Sequence, residues 1–491
     1  MTLQPTSKEF KANVSAALAD PNLRQAMGQA GGGLAAKRAV AVAALPEFEA
    51  LRDAARDVKN HTLTHLDLYL EKYEAQVEAS GGQVHWAQTA DEASKIVLDI
   101  VARAAEARGA DDGKAIVNKG KSMISEEIGL NQALEAAGHT VVETDLGEYI
   151  IQLRGEHPSH IIAPAVHVTK AQVEEDFRAA HTQFAPDRRF PDAASLVREA
   201  RAVLREKYFQ ADVGITGANM LIAETGQSVI VTNEGNGDLT QSLGCIHVVI
   251  ASLEKIVPTL EDASTILRVL GRSATGQAMS VYTTFSRGPR RDEDPDGPEE
   301  YHVVLLDNGR TSMLGGEFQD MLRCIRCGAC MNHCPVYQTV GGHAYGWVYP
   351  GPMGAVLTPN FIGVEEGGHL PNASTFCGRC ESVCPMRIPL PKMMRHWRER
   401  EFEQRLSPAP TRYGLDFWAF FAIRPTLYHW AARWAVWKMK LFARGEGSLG
   451  WLPFAGAWTK HRDFPTPEGR TFQQLWAQRQ REREQDMRGV G

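Results

Sequence analysis

Cys324-Ile-Arg-Cys327-Gly-Ala-Cys330-Met-Asn-His-Cys334-Pro335 opens the stretch on which the reading of this chain turns, and Cys377-Gly-Arg-Cys380-Glu-Ser-Val-Cys384-Pro385 closes it. Together the two blocks hold seven of the eight cysteines. The first is the C-x2-C-x2-C-x3-C-P run by which bacterial ferredoxins hold an iron-sulfur cluster. The second repeats the pattern with Ser374 in its first position, so two clusters are implied.

The spacing has a physical reason. Three thiolates set two residues apart on a tight turn wrap three corners of one cubane, and the fourth points away toward the other cluster. By that logic Cys324, Cys327, Cys330 and Cys384 close cluster 1. Cys334, Cys377 and Cys380 give cluster 2 three thiolates, and something else, or nothing, fills its last corner. Both clusters are expected to be [4Fe-4S]. Gly328 and Gly378 let the backbone approach inorganic sulfide, and Pro335 and Pro385 stand where no amide donor is needed. Zinc takes paired C-x2-C knuckles rather than a four-cysteine run with a trailing proline, and disulfides do not suit a reducing cytosol.

Working outward, 491 residues of ordinary apolar content suffice for about three domains. A net charge of −6 and a pI near 6.3 carry no polyanion-binding signature, so nucleic acid is not an expected partner. The amino-terminal segment lacks the basic and apolar regions of a secretory signal, and Lys37-Arg38 with the apolar run after it reads as a helix. No run reaches about 18 uninterrupted apolar residues, so no transmembrane span is expected. The expected compartment is the cytoplasm.

Residues 1–60 read as a charged, helical amino-terminal arm or cap. Leu63, Leu66, Leu70, Tyr73 and Val77 mark one amphipathic helix stopped by Gly81-Gly82. Short apolar runs then alternate with helical segments at Gln83–Trp86, Ala115–Asn118, Thr140–Val142, His160–Ala163, Ala211–Thr216, Ser228–Val231 and Ile246–Ile250. Such alternation implies a mainly parallel sheet covered by helices, an α/β domain over 61–286. Residues 287–317 read as a polar linker followed by a hairpin, because Asn308-Gly309 favours a type I′ turn after Tyr301–Leu306. An α-helical ferredoxin module is expected over 318–400, with Phe318–Leu322 beginning the helix that delivers Cys324. Within it, Val340–Gly354 is too rich in glycine and proline for a regular element, and small residues there suit backbone approach to cluster sulfurs rather than an idle solvent loop.

Several blocks carry a resemblance. Lys119-Gly-Lys-Ser-Met-Ile-Ser-Glu-Glu127, Ala223-Glu-Thr-Gly226, Val231-Thr-Asn-Glu-Gly-Asn-Gly-Asp238, Lys255-Ile-Val-Pro-Thr259, His343-Ala-Tyr-Gly-Trp-Val-Tyr-Pro-Gly351 and the cysteine runs together resemble the lactate-utilisation protein B family over nearly the whole chain. The resemblance implies a lactate-utilisation domain similar in fold to sugar-phosphate isomerases and CoA transferases, followed by an α-helical ferredoxin module. It also implies work with two partners, a cysteine-rich-domain subunit and a second lactate-utilisation-domain protein, in oxidising L-lactate to pyruvate. The family's cluster ligands carry over to the seven cysteines above, and Ser374 agrees with three thiolates in the second block.

Other signals are weaker. Ala115–Ser122 departs from a phosphate-binding P-loop at its opening glycine and reads as a basic turn capping the next helix. Asn233–Asp238 could hold a small carboxylate at the sheet's carboxyl end, or be a polar turn with Gly235 and Gly237 at positive φ. Glu224 stands where a CoA transferase might place a nucleophile, without supporting chemistry. Cys245 reads as a small buried hydrophobe and His247 as a strand histidine. No G-x-G-x-x-G fingerprint precedes a helix, so hydride chemistry is assigned to another subunit. Residues 401–491 form an aromatic-rich helical tail in which Trp430, Trp434 and Trp437 share one face flanked by Arg433 and Lys440. That face suits a partner or intramolecular groove, with peripheral membrane contact or simple core packing as alternatives. The reading is of an electron-transfer subunit. Its rivals are an oxidoreductase whose own α/β domain binds substrate and, more distantly, an iron-sulfur sensor.

Overall fold

The strand-helix alternation becomes a six-stranded sheet in the computed structural model, which describes residues 5–109, 113–443, 445–453, 455–460 and 462–489. The first four residues of the amino-terminal segment read above lie outside the described residues. In chain order the strands of the α/β part are β1 (Gln83–Ala87), β2 (Ile116–Lys119), β3 (Thr140–Glu143), β4 (Val213–Gly217), β5 (Met220–Ile222), β6 (Gln227–Thr232), β7 (Ile246–Ser252), β8 (Ile256–Val257), β9 (Tyr282–Ser286) and β10 (Glu300–Leu306). The main sheet has the order β1-β10-β7-β4-β2-β3, and every adjacent pair is parallel. A smaller sheet, β8-β5-β6-β9, pairs β5 parallel to β8 and antiparallel to β6.

Parallel strands must be covered on both faces, and β7 is buried along its whole length. Val248 and Ile250 pack with Val97, Ile100 and Val101 of the helix Ala90–Ala107. Val249 and Ala251, on the opposite face, meet Leu66, Leu70, Tyr73 and Val77 of the helix Leu66–Ala79. Thr89 and Glu92 start the first of these helices with a reciprocal capping box.

Four expectations are corrected. Tyr301–Leu306 is not half of a hairpin: β10 inserts between β1 and β7 with parallel register, because six of its seven residues are buried and need neighbours on both sides. Asn308 and Gly309 do take positive φ, 45° and 83°, but they turn the chain away from the sheet into the short 3-10 helix Thr311–Met313. The sheet thus runs past residue 286, and 287–299 connects β9 to β10. His160–Ala163 is not a strand but a turn, held by the amides of Ile162 and Ala163 donating to His160 Nδ1 at 3.0 Å each. Its apolar residue Ile161 is buried among the cysteine region, beside Cys327 and Ala329. The single helix expected through Leu63 and Val77 is two, Phe48–Thr64 and Leu66–Ala79, divided at His65. Finally, the glycine-proline stretch contains the start of a regular helix, Gly351–Ile362.

Residues 1–401 make one compact unit and 402–491 another. In the first, the cysteine region consists of short helices and 3-10 turns, and the turn Gln319–Arg323 delivers Cys324. The amino-terminal helices Phe10–Ala19, Pro21–Ala43 and Phe48–Thr64 do not project as an arm. Met27, Phe48 and Ala55 are buried in the same apolar cluster as Cys327, Cys380 and Cys384. Buried Arg38 donates to Val383 O at 2.9 Å, and buried Arg52 to Cys384 O at 2.6 Å. The second unit contains the helices Ala409–Ala422, Pro425–Phe442 and Phe472–Gly489.

Candidate metal centre and adjoining cavity

The two cysteine blocks share a backbone device. Arg326 and Gly328 flank Cys327 at φ 58° and 73°, and Phe376 and Gly378 flank Cys377 at φ 52° and 75°. Each alternation leads into a one-turn helix, Ala329–Asn332 or Arg379–Ser382. A non-glycine residue at positive φ costs on the order of 1–3 kcal/mol, and this turn holds one in each block. The geometry aims amides at sulfur: Ala329 at Cys327, Val336 and Tyr337 at Cys334, Arg379 at Cys377, Glu381 at Cys380, and Met386 and Ile388 at Cys384. Such bonds are among the levers that set cluster potential.

The thiols fall into two neighbourhoods. Burial pushes Cys327 up to about 12, and the proximity of Cys384 and Cys324 adds to it. Burial also raises Cys384 to about 11, with Cys324 contributing. Cys330 is raised by burial and then by Cys324, Cys327 and Cys384, with a last and smaller contribution from Cys380 of the other group. These four line a small cavity of about 20 Å³ with Ile161, Met353 and Ile388. In the other neighbourhood burial lifts Cys380 to about 12, and Cys334 and Cys377 push the same way. Crowded, desolvated thiols with amides aimed at them are a donor set that favours thiolate-binding iron, so the residues fit iron-sulfur chemistry.

The two neighbourhoods differ in exposure. Cys327 and Cys384 are buried, whereas Cys377 is exposed and its thiol is pulled down by the Arg379 amide. Ser374 occupies the register position of Cys324, and its Oγ accepts from Phe376 N at 3.1 Å. Cys245 is exposed, contrary to the buried reading, because it precedes β7 at the amino end of the sheet. His247 is the strand histidine expected, fully buried, with Nε2 2.8 Å from Thr216 Oγ1.

A second feature adjoins the first group. β2 lies between β3 and β4, so the chain's order reverses there, and a cavity of about 210 Å³ opens beyond the carboxyl ends of β2 and β4. Open α/β sheets bind ligands at that point. Gly120, Lys121 and Ser122 line it after β2, Gly217 at the end of β4 and Asn219 just beyond it, and Asn233, Asn236, Lys255 and Arg326 complete its polar wall. Arg326 lies between Cys324 and Cys327 in sequence, and Cys324 is close enough to favour the charged forms of both Arg326 and Lys255.

Beside the cavity runs a buried charge network that the sequence reading missed. Arg310 grips Glu127 with two bonds of 2.7 and 2.9 Å and lies 3.1 Å from Glu254, while Arg326 reaches Glu254 at 3.2 Å. Tyr349 OH donates to Glu127 at 2.6 Å, bringing in the glycine-rich stretch. The available signal was a Glu254-Lys255 pair set between apolar strands.

The weaker motifs resolve plainly. Lys119 is buried against Glu143 at 2.8 Å and Glu126 at 3.2 Å, Lys121, which holds the position of a P-loop lysine, donates to Ile162 O at 2.7 Å, and Ser122 caps the helix Met123–Glu127 as expected. Gly235 has φ 72°, but Gly237 lies within the helix Asn236–Leu243 and is not at positive φ. Glu224 accepts from Leu260 N at 3.2 Å, at the start of the helix Leu260–Ala274. Among the described residues no helix is long and apolar enough to cross a membrane.

Two family models match this chain: the LUD domain over residues 70–306 and the 4Fe-4S dicluster domain over residues 320–388. Lactate utilization protein B of Bacillus licheniformis is 40% identical over 489 residues, covering 99% of this chain and 100% of that protein. Lactate utilization protein B of Bacillus subtilis is 39% identical over 487 residues, 98% of each chain. A crystal structure of a DUF162 family protein from Deinococcus radiodurans aligns with 49% of this chain and 98% of its own at 12% identity, with a TM-score of 0.25. On the near-complete, co-linear match to the curated relatives, the chain belongs to the lactate utilization protein B family.

Proposed function

We propose that this chain is the iron-sulfur electron-transfer protein of a system that oxidises L-lactate to pyruvate, allowing lactate to serve as a carbon source. The observation that carries this reading is the interleaving of the two thiol neighbourhoods, in which Cys384 of the second block joins Cys324, Cys327 and Cys330, and Cys334 of the first joins Cys377 and Cys380. Those sets are the proposed ligands of cluster 1 and cluster 2. When bound, each [4Fe-4S] cluster supplies a one-electron site whose potential follows its charge, hydrogen bonds and exposure.

The chain's own residues set those conditions. Ile161, Met353 and Ile388 keep water from the first group. Arg38 and Arg52 place positive charge beside Cys327 and Cys384, which favours added negative charge there. The exposed Cys377 gives the second group a route to a partner. Hydride chemistry is left to the proposed partners, a cysteine-rich-domain subunit and a second lactate-utilisation-domain protein. The cytoplasm is the proposed compartment. The parallel sheet with a cavity at its strand ends supports the kinship in fold with sugar-phosphate isomerases and CoA transferases.

Anaerobic reconstitution tests the reading. About eight irons per chain are expected for two cubanes, with visible charge-transfer absorption. The isolated chain should not reduce a dye with L-lactate, and turnover should appear when the partners are added. Stoichiometric zinc, or robust lactate-dependent reduction by the chain alone, would overturn it.

A further inference from the structure

We infer that the cavity at the reversal point of the main sheet is a binding site for a small hydroxycarboxylate, its carboxylate held by Lys255 and Arg326 and its hydroxyl by Asn236. The site concerns binding only, and no bond is made or broken in it.

Lys255 and Arg326 are each more than nine-tenths buried and line the cavity. Lys255 Nζ has no hydrogen-bond or ion-pair partner among the described residues, and Glu254 attracts it only from beyond contact distance. Arg326 spends Nη2 on Glu254, while its Nη1 is buried with no partner. A desolvated cation with unspent donors is costly unless an anion meets it. Lys121 adds a third positive charge to the lining, its Nζ donating to Ile162 O at 2.7 Å.

The carboxylates in the lining do not meet this demand. Asp145 is occupied with the amides of Gly147 and Glu148, and Glu234 is exposed at the rim. The same lining holds the complementary need: Asn236 Oδ1 is buried without a donor. Unspent donors and an unspent acceptor in one lining suit a ligand with a carboxylate and a hydroxyl. About 210 Å³ gives ample room for a ligand of a few heavy atoms.

The coupling of this site to electron flow, unlike the binding itself, rests on the electron-transfer reading. Because Lys255 and Arg326 also lie near Cys324, an anion held there disfavours added negative charge on cluster 1, and reduction must weaken the anion's binding by the same factor.

The test is calorimetric titration of the reconstituted full chain with L-lactate, propionate and inorganic phosphate. One L-lactate should bind per chain, more tightly than propionate, which lacks the hydroxyl, and more tightly than phosphate. Lys255→Met should weaken lactate at least about ten-fold, the scale of one charge-assisted hydrogen bond, while the exposed Lys95→Met leaves it unchanged. Asn236→Ala should abolish the preference for lactate over propionate without weakening propionate. Dithionite-reduced protein should bind lactate several-fold more weakly. Cluster paramagnetic signals and partner-dependent turnover, read on the same preparations, separate the two readings. Absence of saturable lactate binding, or binding untouched by Lys255→Met, overturns the site even where turnover is intact. Phosphate binding as tight as lactate overturns the ligand class. Lactate binding retained with turnover never appearing overturns the electron-transfer reading and leaves the site standing.

Discussion

His247 shows how one buried residue ties this sheet to pH. Its ring sits in β7 against Tyr301, centroids 5.3 Å apart, and burial pushes its pKa down to about 3. In the unfolded chain an ordinary histidine titrates near ~6.5. Between those values the unfolded state holds a proton that the folded state lacks, so stability falls as pH falls, by up to about 1.4 kcal/mol per unit, and is untouched above that window. Urea midpoints measured from pH 7.5 to 5 should therefore drop more steeply for the natural chain than for His247→Gln. Parallel profiles would show that the histidine is protonated in the fold. Ser374 makes a second residue-scale prediction, since it stands in the register of Cys324 beside the exposed Cys377. Cluster 2 should be the first to convert to a three-iron form in air, and Ser374→Cys should slow that conversion by offering a fourth thiolate. The test is the growth of the three-iron paramagnetic signal, and an unchanged rate would place the open corner elsewhere.

Among the elements, the helix Asn236–Leu243 lies on β4 only because residue 214 is glycine: a Cβ there would fall 1.8 Å from Thr240 O. Gly214→Ala should destabilise the α/β part by about 3 kcal/mol or more, since backbone cannot yield as a side chain would. A urea midpoint like that of the natural chain would contradict this packing. Most strands were legible in the sequence because each is a short apolar run ended by polar or glycine residues, and parallel pairing follows from the helices between them. His160–Ala163 had the same look, but its burial comes from the cysteine region, a long-range fact that no local pattern carries. Asn308-Gly309 was misread because the same two residues that close a hairpin can also end a parallel strand. The thiol groups were legible because their spacing is local and repeated. The cavity was not: Gly120, Gly217, Asn236, Lys255 and Arg326 come from distant segments without a shared period. Its local traces were the loop of polar residues at Asn233–Asp238 and the P-loop-like turn ending at Gly120-Lys121-Ser122.

For the whole molecule, the division at residue 401 sets apart a second unit whose own helices leave an aromatic face uncovered. Trp430, Trp434 and Trp437 are 66, 53 and 57% exposed, and no described residue of Ala409–Ala422 or Pro425–Phe442 is buried. Packing within this unit therefore does not account for these residues, and apolar surface of this kind suits an interaction face. A chain ending at residue 401 should retain its iron and visible spectrum yet lose partner-dependent lactate turnover. Salt-sensitive binding of the full chain to anionic vesicles, lost on that truncation while complex assembly persists, would assign the face to a membrane instead.

The hydrogen bond from Arg38 to Val383 O spans 345 positions of the chain, and that from Arg52 to Cys384 O spans 332. Translation at ~5–20 residues per second separates the making of those partners by roughly 20–70 s. The helices that cover the thiols are thus made long before their landing site, which includes Cys384. The metal-binding loops appear only at the end of that interval, with Cys324 just 60 residues before Cys384, so the covering helices must wait for them. The cover is made before what it covers, and the chain cannot close over its thiols until Cys384 exists.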